Sequence, residues 1–216
     1  DLTATFSGTS GENLHSLFWQ VLKEGFKIIN QEMGSVEGHF HLDNQIPIGA
    51  GLRASAALSV AISQWFISQN LLEPDHCYHF SQTLENLFHK KSSGLDIAGS
   101  MSSQGILFQE GKSTPFAQQW QPQWYLSFSG PIGITAQCVK KVDKLFLEAP
   151  EKAKALDEQM AKSVALSLDA LTQKESKGAF EQLKTAIDLA NECFKEWALT
   201  NAQMDEHAAW LKTNGA

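Results

Sequence analysis

Glycines, hydroxyls and carboxylates gather in two short stretches of this 216-residue chain, in a pattern that suits phosphate and proton chemistry. The first is Pro47-Ile48-Gly49-Ala50-Gly51-Leu52-Arg53-Ala54-Ser55-Ala56-Ala57, where small residues run straight into an apolar helical pattern whose first turn carries a hydroxyl. The unpaired N–H groups at a helix start carry partial positive charge, and glycines ahead of them let the main chain approach an anion closely. A plain tight connection is the alternative, because a lone Gly-x-Gly carries little information. The second stretch is Glu85-Asn86-Leu87-Phe88-His89-Lys90-Lys91-Ser92-Ser93-Gly94-Leu95-Asp96-Ile97-Ala98, followed by Gly105-Ile106-Leu107-Phe108. Glu85 lies on the last turns of an amphipathic pattern with Phe80, Leu84, Leu87 and Phe88 on its apolar side, and Asp96 follows a Ser-Gly turn. Two carboxylates on either side of such a turn can face one pocket, one holding a metal while the other takes a proton. The alternative makes Glu85 a solvated helix residue and Asp96 a cap.

Elements that would position these groups follow from periodicity. Residues 13–30 carry Leu14, Leu17, Phe18, Val21, Leu22, Phe26 and Ile29 at helical spacing. Residues 37–46 alternate polar and apolar side chains, read as a strand, and deliver the chain into the glycine bend. The helix predicted over 55–70 is apolar on most of its circumference, so it should be sandwiched between other elements. A helix over 75–89 and a strand over 105–108 follow. The Gln/Pro/Trp-rich stretch 116–123 is the candidate domain boundary. Beyond it, 124–128 reads as a strand, 129–135 as a turn capped by Thr135 into a helix through 142, and 151–171, 179–199 and 204–211 as helices. There is no internal repeat and no low-complexity tract.

Composition narrows the function. A formal net charge of -7 at pH 7 disfavours nucleic acid or an anionic membrane as partner, since both demand a basic surface. The start of the chain has neither the basic nor the apolar region of a signal peptide, and no run is apolar enough to span a bilayer, so the expectation is a soluble cytoplasmic protein. Cys77, Cys138 and Cys193 are odd in number and widely separated, which reads as buried thiols rather than disulfides or a metal site. The histidines His39, His41, His76, His79 and His89 lack a matching third ligand and are not read as zinc ligands. The six tryptophans read as packing residues.

The first stretch resembles the P-x-x-x-G-L-G-S-S-A-A motif of the GHMP kinases. Arg53 and Ala54 depart from it, standing where the motif has Gly and Ser. An Arg there either pairs with a phosphate oxygen or crowds a turn that needs glycine's freedom, and both remain open at this point. The second stretch resembles the E-x-x-x-H-x-x-x-S-G-x-D-x-A run of the mevalonate kinases within that superfamily. The resemblance implies an α+β, GHMP-kinase-like two-domain fold. Its N-terminal part, like the second domain of a small-subunit ribosomal protein, would cover 1–119 and bind ATP; its helix-rich C-terminal domain would cover 120–216. It also implies an N-terminal strand bearing a Lys and a C-terminal Gly-rich loop, neither of which occurs in these residues, so both domains read as partial.

The activity implied is ATP-dependent phosphorylation of a small alcohol, mevalonate first. The ATP phosphates would lie along Gly49, Ala50, Gly51, Leu52, Arg53, Ala54, Ser55 and Ala56. Mg²⁺ would be held by Ser55 and Glu85, Asp96 would accept the proton of the substrate hydroxyl, and Ser93 and Thr135 would face the substrate. The partner expected is the small-molecule substrate, with a homodimer left open. Another GHMP kinase, acting on phosphomevalonate or a sugar, and a non-catalytic nucleotide-binding or interaction module are the alternatives.

Overall fold

Alternation of Leu2, Ala4 and Phe6 with Thr3, Thr5 and Ser7 builds a strand ahead of the first expected helix, β1 (Leu2–Gly8). The computed structural model describes residues 2–8, 11–47, 50–88, 92–127 and 135–215, and their side chains except those of 11–13, 135 and 136. Helix α1 (Gly11–Ile28) connects β1 to β2 (Gly38–Asn44), and the two strands pair in parallel with Leu2 opposite Gly38 and Phe6 opposite Leu42. Parallel pairing requires a crossover, and the amphipathic α1 supplies it. The inward alternates Ala4, Phe6, Phe40 and Leu42 pack on a core of Leu14, Phe18, Leu22 and Phe26 from the helix. The outward alternates form a polar ladder, in which the His39 ring lies within hydrogen-bond distance of the Thr3 and Thr5 hydroxyls and Ser7 donates to Asp43 at 2.9 Å.

After β2 the chain bends and enters α2 (Ala54–Ser68), then passes a single 3-10 turn (Pro74–His76) into α3 (Cys77–Glu85) and α4 (Leu95–Met101). Phe66 on α2 is fully buried and meets Phe26, Trp65 and Phe80 edge-on at centroid distances of 5.0, 5.0 and 5.3 Å. Edge-to-face rings bring electron-poor edges onto electron-rich faces, adding about 0.5–1.5 kcal/mol per pair to area burial. Helices α2, α3 and α4 pack on one another, which fixes their ends as a group. The expected sandwiching of α2 holds on one side only: Ala56, Leu58, Ile62 and Phe66 are buried, whereas Ala61 and Gln64 are exposed. A hairpin of β3 (Ile106–Gln109) and β4 (Lys112–Pro115) follows, turned by Glu110 and Gly111 with φ of 51° and 76°. Positive φ at both central residues is the turn geometry that matches strand twist.

The chain divides into two compact units between Pro115 and Phe116. The second unit is built from α5 (Thr135–Glu148), α6 (Pro150–Thr172), α7 (Lys177–Glu196) and α8 (Ala202–Thr213). Helices α6 and α7 pack on one another and bury small residues, Ala153 and Ala170 on α6 and Ala179, Ala186 and Cys193 on α7. Ser176 caps α7 by accepting from Ala179 N–H at 3.0 Å, and Asn201 caps α8 by accepting from Met204 N–H at 3.0 Å.

Three sequence expectations are corrected here. Residues 124–127 are irregular rather than a strand, and Trp124, Tyr125 and Leu126 are exposed, so this stretch has neither a ladder nor a buried face to hold it extended. Trp124 and Trp210 are 59% and 61% exposed, so tryptophan does not serve packing alone. Cys77 and Cys193 are buried as expected, but Cys138 is only partly so.

Candidate functional site

Asn44 shapes the approach to the glycine bend: its side-chain amide donates to Ile46 O at 2.8 Å and its carbonyl oxygen accepts from Ile46 N–H at 3.2 Å. Ile48 and Gly49 lie outside the described residues. Gly51 follows with φ +74°, and nothing lies within 4 Å of the place a Cβ would occupy, so the backbone there opens onto free space. Arg53 then adopts the left-handed conformation, φ 60° and ψ 34°, and its carbonyl accepts from Ala57 N–H at 3.1 Å to start α2. Glycine takes this conformation freely, whereas an L-residue gives up about 1–2 kcal/mol in it.

The guanidinium answers the question left open by the motif. Arg53 Nε pairs with Asp96 Oδ1 at 2.9 Å, and Nη1 lies 3.2 Å from the position a Cβ would take on Gly99. Arg53 therefore neither disrupts the turn nor points away from the acid; it joins the bend before α2 to the first turn of α4. The two side chains are 46% and 36% exposed, and a pair so open to water is worth about 0–1 kcal/mol. That does not outweigh the backbone conformation, so stability alone does not explain the arrangement.

Glu85, the last residue of α3, is 1% exposed, which overturns its reading as a solvated helix residue. It accepts a hydrogen bond from the Ser92 hydroxyl, which in turn accepts from Gly94 N–H at 3.1 Å. Ser92 is further fastened to α3 through its carbonyl, which accepts from Gln82 Nε2 at 3.1 Å, and its N–H, which donates to Asn86 Oδ1 at 2.8 Å. Gly94 has φ 85°, and an added Cβ there would collide with the Tyr78 hydroxyl. Burial first, and the negative charge of Glu85 second, push the Tyr78 hydroxyl above its ordinary value of 10.0. Hydrogen bonds therefore link Glu85, Ser92 and Gly94, and two residues further along the chain Asp96 pairs with Arg53.

Residue types alone did not mark Ser92, Tyr78 or Gln82. The signal for the last two was their helical spacing with Glu85, which puts Tyr78, Gln82 and Glu85 along one face of α3. Ser93 is exposed, and its hydroxyl accepts from Leu95 N–H at 3.3 Å. Asp96 sits in the first turn of α4 with Gly94 as the capping position, so it does not cap the helix with its side chain. Ala50, Leu52, Ala54, Ser55 and Ala56 lie on the bend and the first turn of α2. Thr135 opens α5 in the second unit, while the preceding 128–134 and the residues 89–91 lie outside the described residues.

Beside the ion pair is an open cavity of about 470 Å³, with Ile46, Leu52, Ala57 and Val60 as apolar wall and Arg53, Gln64 and Ser100 as polar wall. Among the described residues no cluster of three or more His, Cys, Asp or Glu side chains is placed to hold a metal ion, so a cation here would need other oxygen donors. Among the same residues no helix is long and apolar enough to cross a membrane.

Comparison with known proteins bears on this segment directly. Residues 16–104 match the family described as GHMP kinases N terminal domain. Over 176 residues the chain is 26% identical to a mevalonate kinase of Thermococcus sibiricus, covering 78% of this chain and 51% of that protein. Over 181 residues it is 28% identical to a mevalonate kinase of Pyrococcus furiosus, covering 81% and 53%, and over 136 residues 29% identical to one of Pyrococcus horikoshii, covering 62% and 40%. The chain thus spans about half the length of the curated relatives it matches. The bend, α2, α3, the Ser-Gly turn and α4 all fall inside residues 16–104, the segment similar to the GHMP kinases N terminal domain, and along most of its length the chain is similar to mevalonate kinases.

Proposed function

We propose that this chain is the part of an ATP-dependent small-molecule kinase that carries its phosphate loop and its acid, with mevalonate the first acceptor to test. The observation that supports it best is the 2.9 Å contact between Arg53 in the bend and Asp96 past the Ser-Gly turn, which brings the two sequence motifs to one place. Phosphates of ATP would lie along residues 49–56, where Gly51 leaves open space and α2 begins. Ser55 and Glu85 offer hydroxyl and carboxylate oxygens, the donor set a hard cation prefers, and would hold Mg²⁺ together with phosphate oxygens. When bound, Mg²⁺ would neutralise charge on the transferring phosphoryl group.

Asp96 would accept the proton of the acceptor hydroxyl as its oxygen bonds to the γ-phosphorus and the bond to the β-bridging oxygen breaks, releasing ADP. Phosphoryl transfer depends mostly on positioning and charge, and a well-placed base adds about 10²- to 10⁴-fold. Asp96→Asn should lower kcat in that range with little change in Mg·ATP affinity. Ser93 is proposed to face the acceptor.

The test is an ADP-release assay with Mg·ATP and a panel of mevalonate, phosphomevalonate and sugars. A preference for mevalonate supports the reading, and preference for a sugar reassigns the acceptor. Mg·ATP should also raise the unfolding free energy, by about 2.7 kcal/mol at a hundred times Kd. Absence of both turnover and stabilisation at millimolar nucleotide would leave a non-catalytic module.

A further inference from the structure

We propose that Arg53 is a positioning residue for Asp96, a role created by this chain's departure from the glycine of the GHMP motif. The inference rests on the kinase reading above, in which Asp96 takes the proton. Its physical basis is separate. A side chain at a left-handed corner projects differently from one on the helix, and here that projection carries Nε to Asp96 Oδ1 at 2.9 Å while Nη1 settles over Gly99, whose lack of a Cβ leaves room for it. Non-glycine residues persist in this backbone region where the surroundings hold them, and such positions cluster at functional sites.

An arginine is suited to the task because its planar fork fixes the orientation of a carboxylate as well as its charge. With Oδ1 engaged by Nε, the remaining acceptor capacity of Asp96 is left for a substrate hydroxyl. The contact also ties α4 to the bend that begins α2, so Asp96 is held in register with the residues proposed to carry the phosphates. Gly at position 53 would satisfy the backbone equally well but leave Asp96 without this tether.

The experiment compares Arg53→Gly, Arg53→Lys, Asp96→Asn and the double variant Arg53→Gly/Asp96→Asn in the intact protein. Arg53→Gly places glycine where the backbone favours it, so the melting temperature should stay level or rise, which separates function from folding. Its kcat should fall at least tenfold while Kd for Mg·ATP moves less than threefold, and Arg53→Lys should recover part of the loss. In the Asp96→Asn background, Arg53→Gly should add no further loss. An equal loss in both backgrounds, or a tenfold weakening of Mg·ATP binding with kcat retained, overturns the proposal and assigns Arg53 to the phosphates.

Failure of Asp96→Asn to lower kcat would instead sink the assignment of Asp96 as base. Should no acceptor turn over, the kinase reading fails, and the NMR signal of the Arg53 Nε–H judges the tether by itself. Slow solvent exchange that becomes fast in Asp96→Asn supports it, and an unchanged rate overturns it.

Discussion

Gly94 is held to glycine by two independent demands, a φ of 85° and the Tyr78 hydroxyl at the place a Cβ would occupy. Gly94→Ala meets both at once, and about 2–4 kcal/mol of destabilisation is expected in a denaturant titration, from left-handed backbone plus overpacking. A loss under 1 kcal/mol would mean that Tyr78 yields easily and that the turn is not clamped as described. Tyr78 carries a pH signature of its own. Its folded value is raised above 10.0, so the folded state keeps the proton where the unfolded chain loses it. Its stabilising contribution is therefore intact below pH 10.0 and is lost as pH rises through the folded value. Tyr78→Phe should flatten the decline of unfolding free energy above that pH relative to the wild type, and equal slopes would show that the hydroxyl titrates as it does in water.

Among elements, α2, α3 and α4 pack on one another, and each carries one charged group of the site: Arg53 before α2, Glu85 closing α3 and Asp96 in the first turn of α4. Helix α7 shows the opposite case, an element with one face used and one not. Leu183 is buried at 5%, whereas Phe180, Ile187 and Phe194 recur every seventh residue along α7 and remain 52%, 47% and 44% exposed. Leu183→Ala should cost about 2–5 kcal/mol through lost burial and a residual cavity. Phe180→Ser should stay within about 0.5 kcal/mol, as surface changes do. Thermal or chemical unfolding of the two variants side by side tests this, and a large loss at Phe180 would show that this face is covered in solution.

For the whole molecule, the informative stretch is the one that follows the division at Phe116. Trp120 is tied down by donating its indole N–H to Ala170 O at 2.9 Å. A few residues later Trp124, Tyr125 and Leu126 are 59%, 81% and 79% exposed in irregular backbone. Brief chymotrypsin treatment should therefore nick the chain first at 124–126 and leave two fragments that separate under denaturing conditions. First cleavage inside α2 or α6 would contradict the two compact units.

Local information in the sequence determined the helices of both units, the strand entering the bend and the two motifs, because apolar spacing and glycine-hydroxyl patterns are written over a few residues. It missed β1, whose polar outward face masks the alternation, β4, whose four residues are all exposed and alternate nothing, and α4, which is too short for periodicity to register. It also placed a strand at 124–128, whereas the described residues 124–127 are irregular and exposed, since extended propensity forms no ladder without a partner. Tertiary structure alone decided the fate of the charges. Burial of Glu85 depends on Ser92 and the face of α3 it folds against, and pairing of Arg53 with Asp96 depends on α2 and α4 packing side by side. A carboxylate's partner is set by which elements meet in space, and the forty-two residues between Arg53 and Asp96 carry no local trace of that meeting.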